Sequence, residues 1–277
     1  MKKKIIKALS VMLAVVLTLT AAPLSGFVGL ELPDFFDFSI KSSAEEIATS
    51  GTCGENLTWT FDELTGTLTI FGTGEMFYDS CPWSRYRYDI ISVNIYDGVT
   101  SICDSAFQDC SELVTVKISN SVISIGEEAF HDCKNLTELT IPDSVVTIGD
   151  AAFDFCVNLK TIDIGKNVKE GDWYITQGLF SLENITVDEE NTYLCSDKYG
   201  VLFNKDKTVL IRYPIANTRT DYVIPNGVKE IEWYAFTGGE LFTANEHNGL
   251  KSVTIPDSVT SIGDGAFESS KLPGIDI

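Results

Sequence analysis

The sequence is poor in the residues that most catalytic and metal sites use. It has 2 histidines in 277 residues, His131 and His247, and neither belongs to a His/Cys cluster with zinc-ligand spacing. No G-x-S-x-G segment or acidic calcium loop occurs. The Gly72-Thr73-Gly74 segment lacks the third glycine and the following helix of a nucleotide-binding fingerprint. The sequence therefore predicts a protein that is not an enzyme and has no cofactor and no metal site.

Positive charge is also scarce. The chain has 20 Lys and Arg against 40 Asp and Glu, a formal net charge of −20. Nucleic acid and anionic lipid attract basic surfaces, so this balance excludes a nucleic-acid partner and adsorption to an anionic membrane. The simplest interpretation of the charge is that it keeps an extracellular protein soluble.

Long hydrophobic runs are confined to the start of the chain. A basic segment, Met1 to Lys7, precedes an apolar run from Ala8 to Ala22, the pattern of a secretory signal peptide. Small residues at Ser42 and Ala44 place cleavage after residue 44, and an uncleaved N-terminal anchor is the alternative. The leader, residues 1–44, predicts a secreted, extracellular or cell-surface protein.

A pattern with a period of 23 residues dominates the remainder of the chain. Between residues 90 and 158 it is written three times with the same apolar, glycine, phenylalanine and cysteine positions. A fixed period in this range predicts a solenoid in which each unit stacks on its neighbours. One unit alone buries too few apolar side chains to offset the ordering of its backbone, so stacking is obligatory.

Each unit predicts two short strands and a turn. Leu136 to Ile141 alternates apolar and polar residues, and Pro142 then ends the strand because it has no N–H to donate. Val145 to Ile148 predicts a second strand. Gly149 predicts a turn of unusual φ, and Phe153 fills the layer centre.

The motif L-x-x-L-x-I-P-x-x-V-x-x-I-G-x-x-A-F-x-x-C resembles the BspA-type leucine-rich repeat of bacterial surface and secreted proteins. The resemblance covers most of the chain after about residue 51. It implies a mostly β, right-handed leucine-rich-repeat solenoid, export, and a role in adhesion or protein binding without catalysis.

Departures from the pattern give the domain boundaries. Residues 45–89 predict an N-terminal β cap built on a hairpin, and residues 90–187 predict leucine-rich repeats. Residues 188–218 predict a β-hairpin insertion. Residues 219–277 predict further repeats, interrupted at Leu241 to Gly249 and ending in an incomplete unit, which favours a fragment of a longer chain.

The seven cysteines divide into three groups. Cys110, Cys133 and Cys156 occupy one repeat column that later holds Gly239 and Ser270, so they predict packed free thiols in a position for small side chains. Cys53 and Cys81, both in the cap, are the one pair for which a disulfide is predicted. Cys103 and Cys195 have no predicted partner.

Two surfaces are candidates for binding. The first consists of the outward positions of the strands that open the units: Ser92, Asn94, Thr115, Lys117, Glu138, Thr140, Thr161, Asp163, Asn184, Thr186, Ser252 and Thr254. The second consists of aromatic residues in the irregular region: Trp173, Tyr174, Tyr193, Tyr199, Phe203, Tyr213, Trp233 and Tyr234. Aromatic residues on loops are favoured contact residues. The alternatives are a solvated β-surface for the first set and packing of the inserted hairpin for the second.

The functional prediction is a monomeric, non-catalytic scaffold for adhesion or protein–protein interaction, with an extracellular or host protein as partner. Two alternatives remain open at this point. One is a glycan-binding module that uses Trp173 and Trp233, and the other is a structural spacer in a longer surface protein. No membrane contact is predicted beyond an uncleaved leader.

Overall fold

The computed structural model describes residues 48–77, 81–169, 177–237, 249–268 and 274–276. The leader, Trp173, Tyr174 and most of the Leu241 to Gly249 insertion lie outside these ranges. The described residues form one short 3-10 helix, Ser84–Tyr86, and no α-helix. Their strands are Ser50–Thr52 (β1), Asn56–Asp62 (β2), Thr67–Thr73 (β3), Ser92–Ile95 (β4), Ser101–Ile102 (β5), Thr115–Lys117 (β6), Ser124–Ile125 (β7), Glu138–Ile141 (β8), Thr147–Ile148 (β9), Thr161–Ile164 (β10), Asn184–Val187 (β11), Leu194–Ser196 (β12), Leu202–Asn204 (β13), Val209–Arg212 (β14), Asp221–Val223 (β15), Glu230–Ile231 (β16), Ser252–Thr254 (β17), Ser261–Ile262 (β18) and Gly274–Asp276 (β19).

Parallel pairing between equivalent strands makes the sequence repeat a spatial repeat. Among the opening strands, β4 pairs with β6, and β10 pairs with β8 on one side and β11 on the other. Among the second strands, β7 pairs with β5 and β9. Thr161, for example, pairs with Glu138 on one side and with Asn184 on the other. The predicted solenoid is therefore confirmed, with each coil hydrogen-bonded to the next.

The burial of the strands follows the predicted alternation. In β8, Leu139 and Ile141 are buried while Glu138 and Thr140 are exposed, and the strand ends at the residue before Pro142. The second strand is shorter than predicted, because only Thr147 and Ile148 have a ladder partner.

The glycine column has a different physical basis from the one predicted. Neither Gly126 nor Gly149 has a positive φ; the left-handed residues come two positions later, at Glu128 and Ala151, both with φ of 52°. A Cβ at Gly149 would lie 2.7 Å from the Gly126 carbonyl carbon, on the preceding coil. Glycine is required because the backbones of neighbouring coils approach closely at this corner.

Aromatic rings stack along the interior at the phenylalanine position. Trp83, Phe107, Phe130 and Phe153 are all buried, and their successive ring centroids lie 5.8, 5.1 and 5.9 Å apart. Trp83 comes from the cap, and its indole N–H donates to the Ala106 carbonyl at 2.7 Å. The cap thus supplies the first layer of the stack.

The cap is joined to the repeats by backbone hydrogen bonds as well as by packing. β1, β2 and β3 are antiparallel, as predicted for a hairpin, and β3 then pairs in parallel with β4. Trp59 is buried and meets Trp83 edge-on at 6.1 Å. The cap tryptophans therefore belong to the core.

The insertion is a sheet that is buried on both faces. β12, β13 and β14 are antiparallel, and β14 pairs in parallel with β16. One set of side chains packs into the core of the N-terminal coils: Leu194, Leu202 and Ile211. The other set packs into a second core with the C-terminal coils: Val201, Phe203, Leu210 and Tyr213. The hairpin prediction is confirmed, but Phe203 and Tyr213 are interior residues.

A buried asparagine fixes the entrance to this sheet. Asn191 is fully buried, and its side-chain amide donates to the carbonyls of Gly165 at 2.9 Å and Val168 at 3.1 Å. Its side-chain oxygen accepts from the N–H groups of Tyr193 and Leu194, both at 2.8 Å. Every polar atom of the side chain is therefore satisfied.

The C-terminal coils repeat the plan, with one longer spacing. β15, β17 and β19 form one parallel sheet and β14, β16 and β18 continue another. The offset is 31 residues from β15 to β17, where Asp221 pairs with Ser252, but 22 residues from β17 to β19, where Ser252 pairs with Gly274. A second aromatic stack runs through Tyr213, Phe236 and Phe267, with centroids 5.1 and 4.8 Å apart.

The cysteine column has a hydrogen-bonding role that the sequence did not reveal. Cys110, Cys133 and Cys156 are free and buried. The thiols of Cys133 and Cys156 donate to the carbonyls of Phe107 and Phe130, each at 3.2 Å. These thiols therefore link each coil to the one before it.

Removing one ring from the aromatic stack should destabilise the protein strongly. Phe130→Ala leaves a cavity between Phe107 and Phe153, and we expect the free energy of unfolding to fall by about 3–5 kcal/mol. Urea denaturation followed by circular dichroism measures this change. Phe77→Ala is the matched control, because Phe77 is 46% exposed, and should change the value by less than about 1 kcal/mol. Equal losses in both variants would contradict the stacking role.

The cysteine column should also make stability fall at alkaline pH. Burial raises the pKa of the Cys110 thiol to about 12. The unfolded thiol ionises near pH 8.5, so the stabilising contribution is complete below that pH and is lost as the pH rises towards 12. We expect the wild type to lose about 2 kcal/mol more than Cys110→Ala between pH 8 and pH 10, measured by urea unfolding. Ser111→Ala should keep the wild-type pH dependence, and parallel curves for all three proteins would refute the effect.

Candidate functional site

The outward positions of the opening strands form a polar surface on the N-terminal coils, which spans the sheet that contains β4 and β6 and the sheet of β8, β10 and β11. Thr115, Lys117, Glu138, Thr140 and Asp163 are exposed, and Thr161 is half-buried. Parallel pairing sets Thr140 beside Asp163 and Asp163 beside Thr186. We call the outward residues of β4, β6, β8, β10 and β11 the polar strip: Ser92, Asn94, Thr115, Lys117, Glu138, Thr140, Thr161, Asp163, Asn184 and Thr186.

The strip does not continue onto the C-terminal coils as the repeat pattern predicted. Ser252 and Thr254 lie on β17, whose sheet contains β15 and β19 and is separate from that of β8, β10 and β11. The turn before β13 lies against β11 instead, with the Ile185 N–H donating to the Gly200 carbonyl at 3.2 Å. The insertion therefore ends the strip at β11.

A groove adjoins the strip where β8, β10 and β11 end. Its volume is about 470 Å³, and it contains four carboxylates, those of Asp143, Asp163, Asp188 and Glu189. We call this feature the acidic groove. Asp163 was predicted from the sequence and the other three were not, although each follows an opening strand by one or two positions. Its floor is closed by Gly165, where a Cβ would lie 2.6 Å from the Pro142 carbonyl.

The polar contacts around the groove are local and exposed. Asp163 accepts a hydrogen bond from the Thr186 hydroxyl. The Lys166 ammonium lies 3.5 Å from Glu190 and 4.0 Å from Asp143. Such solvated ion pairs contribute at most about 1 kcal/mol to the free energy of unfolding, so they restrain the charged side chains of the groove only weakly. A basic partner can displace these contacts at little cost.

Neither a metal cluster nor a membrane span is present in the described part of the chain. Within residues 48–77, 81–169, 177–237, 249–268 and 274–276, no group of His, Cys, Asp and Glu is arranged to hold a metal ion. The same residues contain no helix of the length and apolarity needed to cross a bilayer.

The aromatic residues predicted as ligand contacts do not form one exposed surface. Trp233 is 52% exposed. Tyr199 is half-buried, with the Arg219 guanidinium 4.0 Å and the Lys198 ammonium 4.8 Å from its ring centroid. Because these cations occupy the face of Tyr199, that ring is a poor platform for stacking a sugar.

One of the two cap cysteines lies beside a cysteine of the first coil. The Cys53–Cys81 bridge is not formed, since both residues are free thiols. The Cys81 sulfur lies 3.7 Å from the sulfur of Cys103, a residue for which the sequence indicated no partner.

Comparison with known proteins agrees with this architecture. The family model described as BspA type Leucine rich repeat region matches residues 85–200 and 216–277 in 6 copies. None of the curated proteins compared with the chain matches it.

Two solved structures are similar over most of the chain. A leucine-rich repeat protein from Eubacterium ventriosum is 28% identical with a TM-score of 0.57, covering 83% of this chain and 72% of its own. The pneumococcal vaccine antigen PcpA is 21% identical with a TM-score of 0.51, covering 81% of this chain and 69% of its own, and so shares the fold. The family model matches most of the chain, and the structure contains the repeated coils. The chain therefore belongs to the BspA-type leucine-rich repeat family of repeat scaffolds.

Proposed function

We propose that this protein is a secreted or cell-surface scaffold that binds an extracellular protein through the polar strip and the acidic groove, without catalysis. The observation that supports this most directly is the strip itself. Its side chains project from two parallel sheets whose other face is buried, so the spacing within each sheet is fixed before a partner arrives. A preorganised surface of this kind loses little entropy on binding.

The charge of the site indicates the chemistry of the partner. Glu138 and Asp163 on the strip and Asp143, Asp188 and Glu189 in the groove are acidic, on a chain with net charge −20. A protein with a basic surface complements this field, and its association is accelerated by long-range attraction. Binding should therefore weaken as salt is added.

Export is part of the proposal and depends on the leader. Residues 1–44 have the sequence pattern of a signal peptide, and the BspA-type family to which the repeats belong is associated with bacterial surface and secreted proteins. A strongly negative chain also suits an extracellular environment, where solubility depends on mutual repulsion.

Reversing two charges on the strip should impair binding. The double variant Glu138→Lys/Asp163→Lys changes the sign of the strip, and we expect at least about tenfold weaker binding to a basic extracellular protein. The dissociation constant is measured by surface plasmon resonance of the purified protein against a panel of matrix proteins, at low and at physiological salt. The matched control is Glu112→Lys/Glu127→Lys, which makes the same charge change at exposed positions off the strip. Equal affinity for both variants would show that the strip is not the binding surface.

Glycan binding is the second candidate function, and the exposure of Trp233 favours it. An accessible indole can stack on a sugar ring, and Trp233→Ala would then abolish the hits seen on a glycan array. The same variant should leave binding to matrix proteins unchanged. A folded sample that binds neither proteins nor glycans would instead support a structural spacer within a longer surface protein.

A further inference from the structure

Two thiols meet where the cap joins the first coil. The Cys81 sulfur is 3.7 Å from the Cys103 sulfur, at the distance of a weak S–H···S contact. Cys81 is half-buried and Cys103 is buried. A disulfide requires about 2.05 Å between the sulfurs, so the two side chains need to move by less than 2 Å to form one.

The repeat geometry explains why Cys103 is directed at the cap. Cys103 occupies the column that holds Gly126 and Gly149 in the next two coils. A Cβ at Gly126 would lie 2.6 Å from the Asp104 nitrogen, so this position faces the backbone of the coil before it. At Cys103 the preceding layer is the cap. The space that the backbone of the preceding coil fills at Gly126 and Gly149 is occupied here by the side chains of Cys103 and Cys81.

Cys81 is accessible from solvent through a wide depression. The depression has a volume of about 770 Å³ and is lined by Cys81, Trp83, Arg87 and Asp104 among others. A small disulfide-containing molecule can therefore reach the Cys81 sulfur. Access to Cys103 is through Cys81.

The charges around the pair favour Cys81 as the attacking thiol. The hydrogen bond from Cys103 and the nearby Arg87 guanidinium lower the pKa of Cys81, against burial and Asp104, which raise it. The same hydrogen bond and burial raise the pKa of Cys103. Arg87 also pairs with Asp109 at 3.4 Å, so its charge is shared.

We propose that Cys81 and Cys103 are a redox-active pair that a small-molecule disulfide, such as oxidised glutathione, converts to an intramolecular disulfide fastening the cap to the first coil. Cys81 thiolate attacks one sulfur of the oxidant, and a mixed disulfide forms as the first glutathione thiolate leaves. Cys103 then attacks the Cys81 sulfur, and the second glutathione thiolate leaves. The two protein thiols are oxidised, the external disulfide is reduced to two thiols, and the two protons pass to the departing thiolates.

Cys53 is the competing partner for Cys81. Burial, together with the proximity of Cys81, raises the pKa of the Cys53 thiol to about 12. It is almost fully buried, so it does not present a thiolate to an external oxidant. Cys103 is also buried, so the choice of partner rests on geometry: the Cys103 sulfur is already 3.7 Å from that of Cys81, which favours this pairing over the one that the sequence predicted.

The test is disulfide mapping of the purified protein after equilibration with reduced and oxidised glutathione. Acid quenching, alkylation of free thiols with N-ethylmaleimide and non-reducing peptide mass spectrometry identify the linked residues. We expect a Cys81–Cys103 cross-link, unchanged in Cys53→Ser. Oxidation should raise Tm by about 6–10 °C, since the bond closes a loop of 22 residues.

Two variants separate the disulfide from a general effect of oxidation. Cys81→Ser removes the attacking thiol, and Cys103→Gly restores the residue that this column holds in the following coils, which keeps the coil geometry intact. In both, the difference in Tm between oxidised and reduced samples should disappear. A Cys53–Cys81 cross-link, the absence of any cross-link, or a Tm difference that persists in Cys103→Gly would overturn the proposal.

Discussion

The close approach of successive coils is the constraint on which the structure depends. Parallel ladders hold equivalent strands in register, and the glycine column lets the corner backbones meet at a distance that no side chain would tolerate. The aromatic stack and the thiol–carbonyl bonds of the cysteine column form across the same spacing. The polar strip is the outer face of this ladder, so its geometry follows from the interior.

The strand positions and the polar strip were predictable from the sequence, because each repeat makes the same contacts as its neighbours. Leu139 and Ile141 alternate with Glu138 and Thr140, which was sufficient to orient β8 and to place the strip. The cap hairpin and the hairpin insertion were also predicted, since Leu57 to Phe61 and the turn at Asp197 to Gly200 have clear local patterns.

Features that depend on contacts between unlike segments were not predictable. The left-handed backbone conformation occurs at Glu128 and Ala151, where it is imposed by the path of the coil. Neither residue type indicates that conformation in the sequence. For Phe203 and Tyr213 the sequence left exposure and packing of the hairpin as alternatives, and the structure shows packing, because the insertion has a core on each side. The acidic groove and the Cys81–Cys103 contact each join residues from different layers. The sequence of one repeat does not show which residues of another layer lie beside it.

The insertion has a consequence for how the molecule can vary. Because β12, β13 and β14 lie between two hydrophobic cores, a substitution on one face of this sheet changes the packing of one core directly. Asn191 anchors the sheet to the N-terminal coils alone. The strip and the groove lie on coils before β12, but the insertion still needs a following coil, because β14 pairs with β16 and the second face of the sheet is buried against the C-terminal coils.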